Sequence, residues 1–313
     1  MIEVQSECLG LARDGNTLTR FIMSNSAGSR VSLLSLGATI ESLWVPDRHG
    51  ELGNVLLSYT NPFDYLDDPY YLGATVGPCA NRIANEALIL EGRELPLGRD
   101  PQGEHLHGHR AGLSRKHWLG EIVESETEPC VRLWVQAADG EGGYPGERYF
   151  EVTYRFSETG TLSIAFSASS NRDTFISLCN HCYFNLSGCA ETSTLGHQLM
   201  IYSGQFLPID RQMIPLPEAA SVDSSPFDFR QPRRLAELVD QPHEQLSLAG
   251  GFDHCWILRR PQEASLSAVA HLFEPRSARI LTVFSEEPGL QFYGGQHLGE
   301  PFAPLAGLCL EAQ

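Results

Sequence analysis

A histidine stands between two cysteines in ISLCNHCYFNLSG, residues 176–188, one of four places where side chains capable of chemistry interrupt apolar stretches. The others are GPCANRI, with Asn81 and Arg82 after a Gly-Pro turn, GEHLHGH, with His105, His107 and His109 alternating, and GLCLEAQ, with Glu311 after Leu308, Cys309 and Leu310. Asp253 in GGFDHCWIL repeats the last pattern, an acid where an apolar strand begins. A carboxylate at a buried strand is costly unless it is paired or used. Together these groups point to a polar pocket cut into a β-rich core.

Metal binding is one chemistry they could serve. Cys179 and Cys182 have C-x-x-C spacing, but alternation along a strand puts Cys179, His181 and Tyr183 on one face and Cys182 on the other. The thiols then do not converge, and no second C-x-x-C pair completes a zinc site. His105, His107 and His109 would share a strand face. With His181 and Glu311 they offer ligands for a metal-dependent β-sandwich enzyme. A solvated strand edge is the plainer alternative for the histidine run.

The elements that must position these groups are strands. RYFEVTYRF places Phe150, Val152, Tyr154 and Phe156 on one face, and TLSIAFSAS does the same with Leu162, Ile164 and Phe166. RVSLLSL, TIESLWV, VRLWVQA, RILTVFS and LQFYGG are also strand-like. Helical signals are few: PRRLAELV, around Arg233–Val239, reads as one short helix, and NPFDYLDDPYY as a turn or short helical piece. Many strands without a βαβ rhythm predict an all-β fold, a large antiparallel β-sandwich with few short helices. No Ser- or Gly-rich linker divides the 313 residues, so residues 1–313 are expected to form a single domain.

Lys and Arg total 22 against 39 Asp and Glu, a net charge of −17. Such a surface repels phosphate backbones and anionic lipid, which disfavours nucleic acid and membranes as partners. A neutral small molecule fits better. The N-terminal stretch lacks the pattern of a signal peptide, and the eight cysteines are too sparse for a disulfide framework. A cytoplasmic location with reduced thiols is expected.

These segments, in order along nearly the whole chain, resemble the aldose 1-epimerase (galactose mutarotase) family. YLGATVGPCANRI is similar to its Asn-Arg-Ile motif, HLHG to its Leu-His-Gly motif, and NHCYFNLSG to its Asn-His-x-Tyr-Phe-Asn-Leu signature. DGEGGYPG, PFDF, FDHCWIL, PGLQFYGG and CLEAQ follow in the family's order. Pro78 stands where the family usually has arginine. The resemblance implies the galactose mutarotase-like supersandwich and interconversion of the α and β anomers of a hexose such as galactose or glucose. It implies His181 as general acid toward the ring oxygen and Glu311 as general base toward the anomeric hydroxyl. Asn81, Arg82, His107, Tyr183, Asp253 and Gln291 are implied to line the sugar site, with no metal or organic cofactor. Family members continue past this glutamate, so the chain is expected to lack the last C-terminal strands. Two other readings stand beside this one: a carbohydrate-binding protein on the same scaffold, and the metal enzyme using His105, His107, His181 and Glu311. Monomer and homodimer both remain open.

Overall fold

The computed structural model describes residues 1–84, 88–100, 103–125, 129–190, 192–258 and 266–313. The chain folds as two compact units, one of residues 1–45 and 58–180, the other of residues 46–57 and 181–313. The principal strand pairs are antiparallel, and the predicted all-β class with few short helices is the one observed.

In the first unit, strands Glu3–Leu11, Thr17–Ser24, Arg30–Leu34 and Thr39–Pro46 follow one another as neighbours in one sheet. Leu119–Val123, Cys130–Ala137, Arg148–Phe156 and Leu162–Ser170 form a second meander. The alternation legible in RYFEVTYRF is the reason: Phe150, Val152 and Tyr154 are fully buried, and Tyr154 pairs with Val131 on one side and Ile164 on the other. The Tyr154 hydroxyl donates to Ala38 O at 2.5 Å, which gives the one polar atom of that buried ring a partner. Two small ladders carry residues of the sequence motifs. Arg82–Ile83 pairs with His105–Leu106, and Thr75–Val76 pairs with Cys179–Asn180.

In the second unit a six-stranded sheet runs Tyr183–Phe184, Leu308–Ala312, Gly289–Tyr293, Asp253–Ile257, Gln205–Leu207, Ala220–Ser221. Its register sorts the side chains into two faces. Leu310, Phe292 and His254 lie in one cross-strand row, and Trp256 and Leu290 in a neighbouring row of the same face. This face packs on aromatic rings: Phe252 stacks on Phe292 at 5.2 Å, Phe227 stacks on Phe206 at 4.2 Å, and Phe229 meets Trp256 edge-on at 5.7 Å. The opposite face is polar. A second sheet orders Arg233–Arg234, Gln198–Ile201, Ser267–Phe273 and Ile280–Ser285.

The expected helix around Arg233–Val239 is instead a two-residue strand followed by a single 3-10 turn, Leu235–Glu237. Pairing of Arg233 and Arg234 with Leu199 and Gln198 takes the backbone that a helix would have used. The one α-helix among the described residues is Glu244–Ala249. His243 Nδ1 caps its start by accepting from Gln245 N, and Gly250 ends it at φ 67. Six residues are too few to show a helical period. The stretch NPFDYLDDPYY does hold a short helical piece, a 3-10 helix over Pro62–Asp67 capped by the Asn61 side chain.

Two histidines in this unit are structural. His254 is sealed among Phe206, Phe227 and Gln245, its Nε2 3.2 Å from Gln245 Oε1 while its Nδ1 accepts from Asp253 N. His197 Nε2 accepts from Leu186 N at 2.9 Å. Burial pushes the rings down, to about 3 for His254 and about 4 for His197. Above about pH 6.5 the rings are neutral whether the chain is folded or not. As pH falls below that, the unfolded rings take protons that the folded ones refuse, so stability is lost toward the folded values. The expected slope is up to about 1.4 kcal/mol per pH unit for each ring. The urea midpoint is therefore expected to fall between about pH 7 and about pH 5, and an unchanged midpoint would contradict the burial of neutral rings as its cause.

Candidate active site

The polar face of the second unit's sheet is built by strand alternation. Glu311, Gln291 and Cys255 form one cross-strand row; Tyr183, Cys309, Tyr293 and Asp253 form the next row on the same face. Leu308 and Leu310 are spent on the aromatic face, so Cys309 and Glu311 must point the other way. Gln291 Nε2 donates to Asp253 Oδ1 at 2.6 Å, which holds the carboxylate of Asp253 in place along the sheet.

His181 reaches this face by a break in the chain's regular structure. The continuous strand expected from Cys179 to Tyr183 is two fragments, Cys179–Asn180 and Tyr183–Phe184, which pair with different strands. Simple alternation across residues 179–183 therefore does not hold. Two asparagines of the signature secure the break. The Asn180 side chain donates to Gly73 O at 2.7 Å in the first unit. In the second, the Asn185 amide donates to Ala306 O and Thr192 O, both at 2.7 Å. His181 follows the first anchor directly in the chain. Its Nε2 is 3.6 Å from Glu311 Oε1, its Nδ1 3.6 Å from Cys309 Sγ, and its ring 5.1 Å from that of Tyr183.

Both members of the pair are buried, His181 at 5% exposure and Glu311 at 4%. Burial pushes the His181 ring down to about 4, so it is neutral at pH 7. A backbone hydrogen bond acts weakly in the opposite direction. A buried imidazole and a buried carboxylate side by side are groups of the kind that acid-base chemistry on adjacent atoms uses.

Asn81, Arg82 and His107 come together in the first unit. The ladder of Arg82–Ile83 with His105–Leu106 sets Asn81 opposite His107. His107 N donates to Asn81 O, Asn81 N donates to His107 Nδ1, both at 3.1 Å, and Arg82 N donates to Asn81 Oδ1 at 2.9 Å. Because a backbone N–H points at Nδ1, the neutral His107 ring carries its proton on Nε2. Three non-glycine residues here have positive φ: Asn81 at 61°, His107 at 51° and Tyr71 at 60°. The Tyr71 ring lies 4.8 Å from that of His107. Asp68 holds Tyr71 from both sides by accepting from Tyr70 N and Leu72 N. Backbone strain of this kind concentrates at functional sites.

The histidine run is thus not a strand with three rings on one face. The strand ends at Leu106, and His107 and His109 both adopt left-handed backbone. His105 engages both ring nitrogens, Nδ1 with Gly98 O at 2.6 Å and Nε2 with the Tyr144 hydroxyl at 2.7 Å. It is therefore not available as the ligand that the metal reading needs. Sequence reasoning also passed over Tyr71, Tyr293 and Cys309. The last two were signalled by their spacing of two residues from Gln291 and Glu311 in strand-like segments. Nothing local marked Tyr71.

Gly108, which follows His107, sits at φ 81, and a Cβ there would lie 2.2 Å from Gly77 O. Gly108→Ala is expected to destabilise the protein by about 1–3 kcal/mol in urea unfolding and to disturb the Asn81–His107 pair. Wild-type stability in that variant would mean that the loop has slack which this geometry denies.

Residues 19–313 match the family model described as aldose 1-epimerase. A galactose mutarotase of Sus scrofa is 34% identical, aligned over all of this chain and 90% of its own length. The aldose 1-epimerase of Escherichia coli K12 is 32% identical over 98% of this chain and 89% of its own. The crystal structure of galactose 1-epimerase from Lactobacillus acidophilus NCFM superposes with a TM-score of 0.89 at 26% identity, covering 100% of this chain and 90% of that one. With the sequence matched from its second strand onward and the fold shared across its whole length, the chain belongs to the aldose 1-epimerase family.

Proposed function

We propose that Glu311 and His181 are the base and the acid of a sugar anomer interconversion, with galactose as the first substrate to test. The chain is an isomerase of the aldose 1-epimerase type, acting on sugar anomers. One observation supports the residue assignment above all: a buried imidazole and a buried carboxylate face each other at 3.6 Å. The two oxygens that exchange protons in mutarotation are attached to the same carbon, so the groups serving them must lie near one another.

In the proposed sequence the Glu311 carboxylate takes the proton of the anomeric hydroxyl. The bond from the anomeric carbon to the ring oxygen breaks, its electron pair goes to that oxygen, and the His181 imidazolium supplies the proton there. The anomeric carbon becomes an aldehyde, rotates, and closes on its other face while both protons retrace their paths. No electrons are gained or lost overall. Protonating His181 at pH 7 from a value of about 4 costs roughly 4 kcal/mol, a cost that the Glu311 carboxylate offsets in part. Asp253 and Gln291 are proposed to hold sugar hydroxyls, with the Tyr183 ring as a wall. On the strength of the family resemblance, Asn81, Arg82 and His107 are proposed as further sugar contacts, the His107 Nε2–H serving as a donor. A sugar lacking a hydroxyl that these groups meet would leave a buried polar atom unpaired and be discriminated against.

Polarimetry of freshly dissolved α-D-galactose tests the assignment. The wild-type protein is expected to speed the approach to equilibrium, and His181→Ala and Glu311→Ala are each expected to lose about 10²-fold or more in kcat while remaining folded. Near-normal turnover by either variant would reject its role. Glu311→Gln removes the charge beside the imidazole, so NMR titration of His181 in that variant is expected to move to lower pH. A shift upward, or none, would show that the pair is not electrostatically coupled.

A further inference from the structure

We propose that strand Ile280–Ser285 is a docking edge for a second copy of this chain, paired antiparallel across a two-fold axis at Thr282. The strand pairs with Ser267–Phe273 on one side, and among the described residues no strand lies on its other side. Alternate N–H and C=O groups of an edge strand face outward, ready to take up a further strand. Nothing in this one blunts that edge. ILTVFS has neither a charge nor a proline, and Ile280 is 66% exposed and Phe284 56%. The opposite edge of the same sheet is the contrast, since Arg233–Arg234 is two residues long and doubly charged.

The face that carries Ile280 and Phe284 is uncharged well beyond the edge. Thr282, His271 and Met200 form one cross-strand row of it, and the hydroxyl of the half-exposed Tyr202 lies 2.9 Å from His271 Nε2. None of the strands Gln198–Ile201, Ser267–Phe273 and Ile280–Ser285 contains Asp, Glu, Lys or Arg, in a chain with 39 acidic and 22 basic residues. Two copies at a net charge of −17 repel each other, and here they can approach without setting like charges together.

The strand also matches itself. Antiparallel pairing centred on Thr282 sets that residue opposite its own counterpart, Leu281 opposite Val283, and Ile280 opposite Phe284. The two-fold axis makes the last two pairs occur twice. A slip by two residues would put Ile280 opposite Glu286, or Phe284 opposite Ala278, and lose the match. The ends agree in charge. Arg276, exposed in the hairpin loop before the strand, falls where the second copy carries the exposed Glu286 and Glu287.

Sedimentation velocity of the full chain tests the proposal. One added strand pair is a small interface, so association is expected near about 10 µM rather than at nanomolar concentration. Between about 1 and about 200 µM the wild type is expected to move from the 34.6 kDa of one chain to twice that mass. Ile280→Lys and Phe284→Glu, both at exposed positions, are each expected to weaken association about 10-fold or more at an unchanged urea midpoint. An equimolar mixture of the two variants is expected to associate again, because in this register the introduced charges face each other. A single-chain mass for the wild type throughout would overturn the proposal and leave this face to a different partner. A dimer that both variants leave intact, or a mixture that stays as single chains, would overturn it as well.

Discussion

The register of one five-residue strand, Leu308–Ala312, sets the terms for everything else in the second unit. Its even positions enter an aromatic core with Phe292, Trp256 and His254 in adjoining rows, and its odd positions hold Cys309 and Glu311 on the polar face. A slip by one residue would drive the carboxylate among those rings and put leucines where the polar row stands. The carboxylate is tolerated because its row offers Gln291 and its neighbourhood offers His181. Hydrophobic burial on one side thus enforces polar placement on the other.

Histidines in this protein illustrate how one side chain is given opposite tasks by its surroundings. His254 and His105 have both nitrogens engaged by fixed partners, and the former is walled by aromatic rings. They are held neutral by burial, and their chemistry ends there. His107 and His181 each have Nδ1 turned toward a protein group, a backbone N–H in one case and a thiol in the other. For His107, which accepts a backbone N–H at Nδ1, the neutral ring keeps its hydrogen on Nε2.

Much of this was legible in the chain itself. The alternation in RYFEVTYRF and TLSIAFSAS predicted strands and faces that the sheets contain, because period-two burial is a local property. The pairing of His181 with Glu311 came from motif order and not from periodicity. What escaped was what tertiary contacts decide. The strand at His181 is broken because Cys179 and Tyr183 pair with different strands, which no window around residue 181 contains. The bend at His107 depends on Asn81, more than twenty residues away, and on the approach of Gly77 to Gly108. The helix at Glu244–Ala249 is too short for periodicity and is tied down by Gln245 bonding both N and O of Ile209.

Strand Leu308–Ala312 is threaded between Tyr183–Phe184 and Gly289–Tyr293, both made earlier in synthesis. Until it enters, two strands have open edges and the histidine has no carboxylate beside it. Closing the sheet and bringing Glu311 beside His181 are one event. A polypeptide released before residue 311 would leave those strand edges open and, on the proposed roles, would lack the base, so quality control that removes unpaired strands would remove such chains as well.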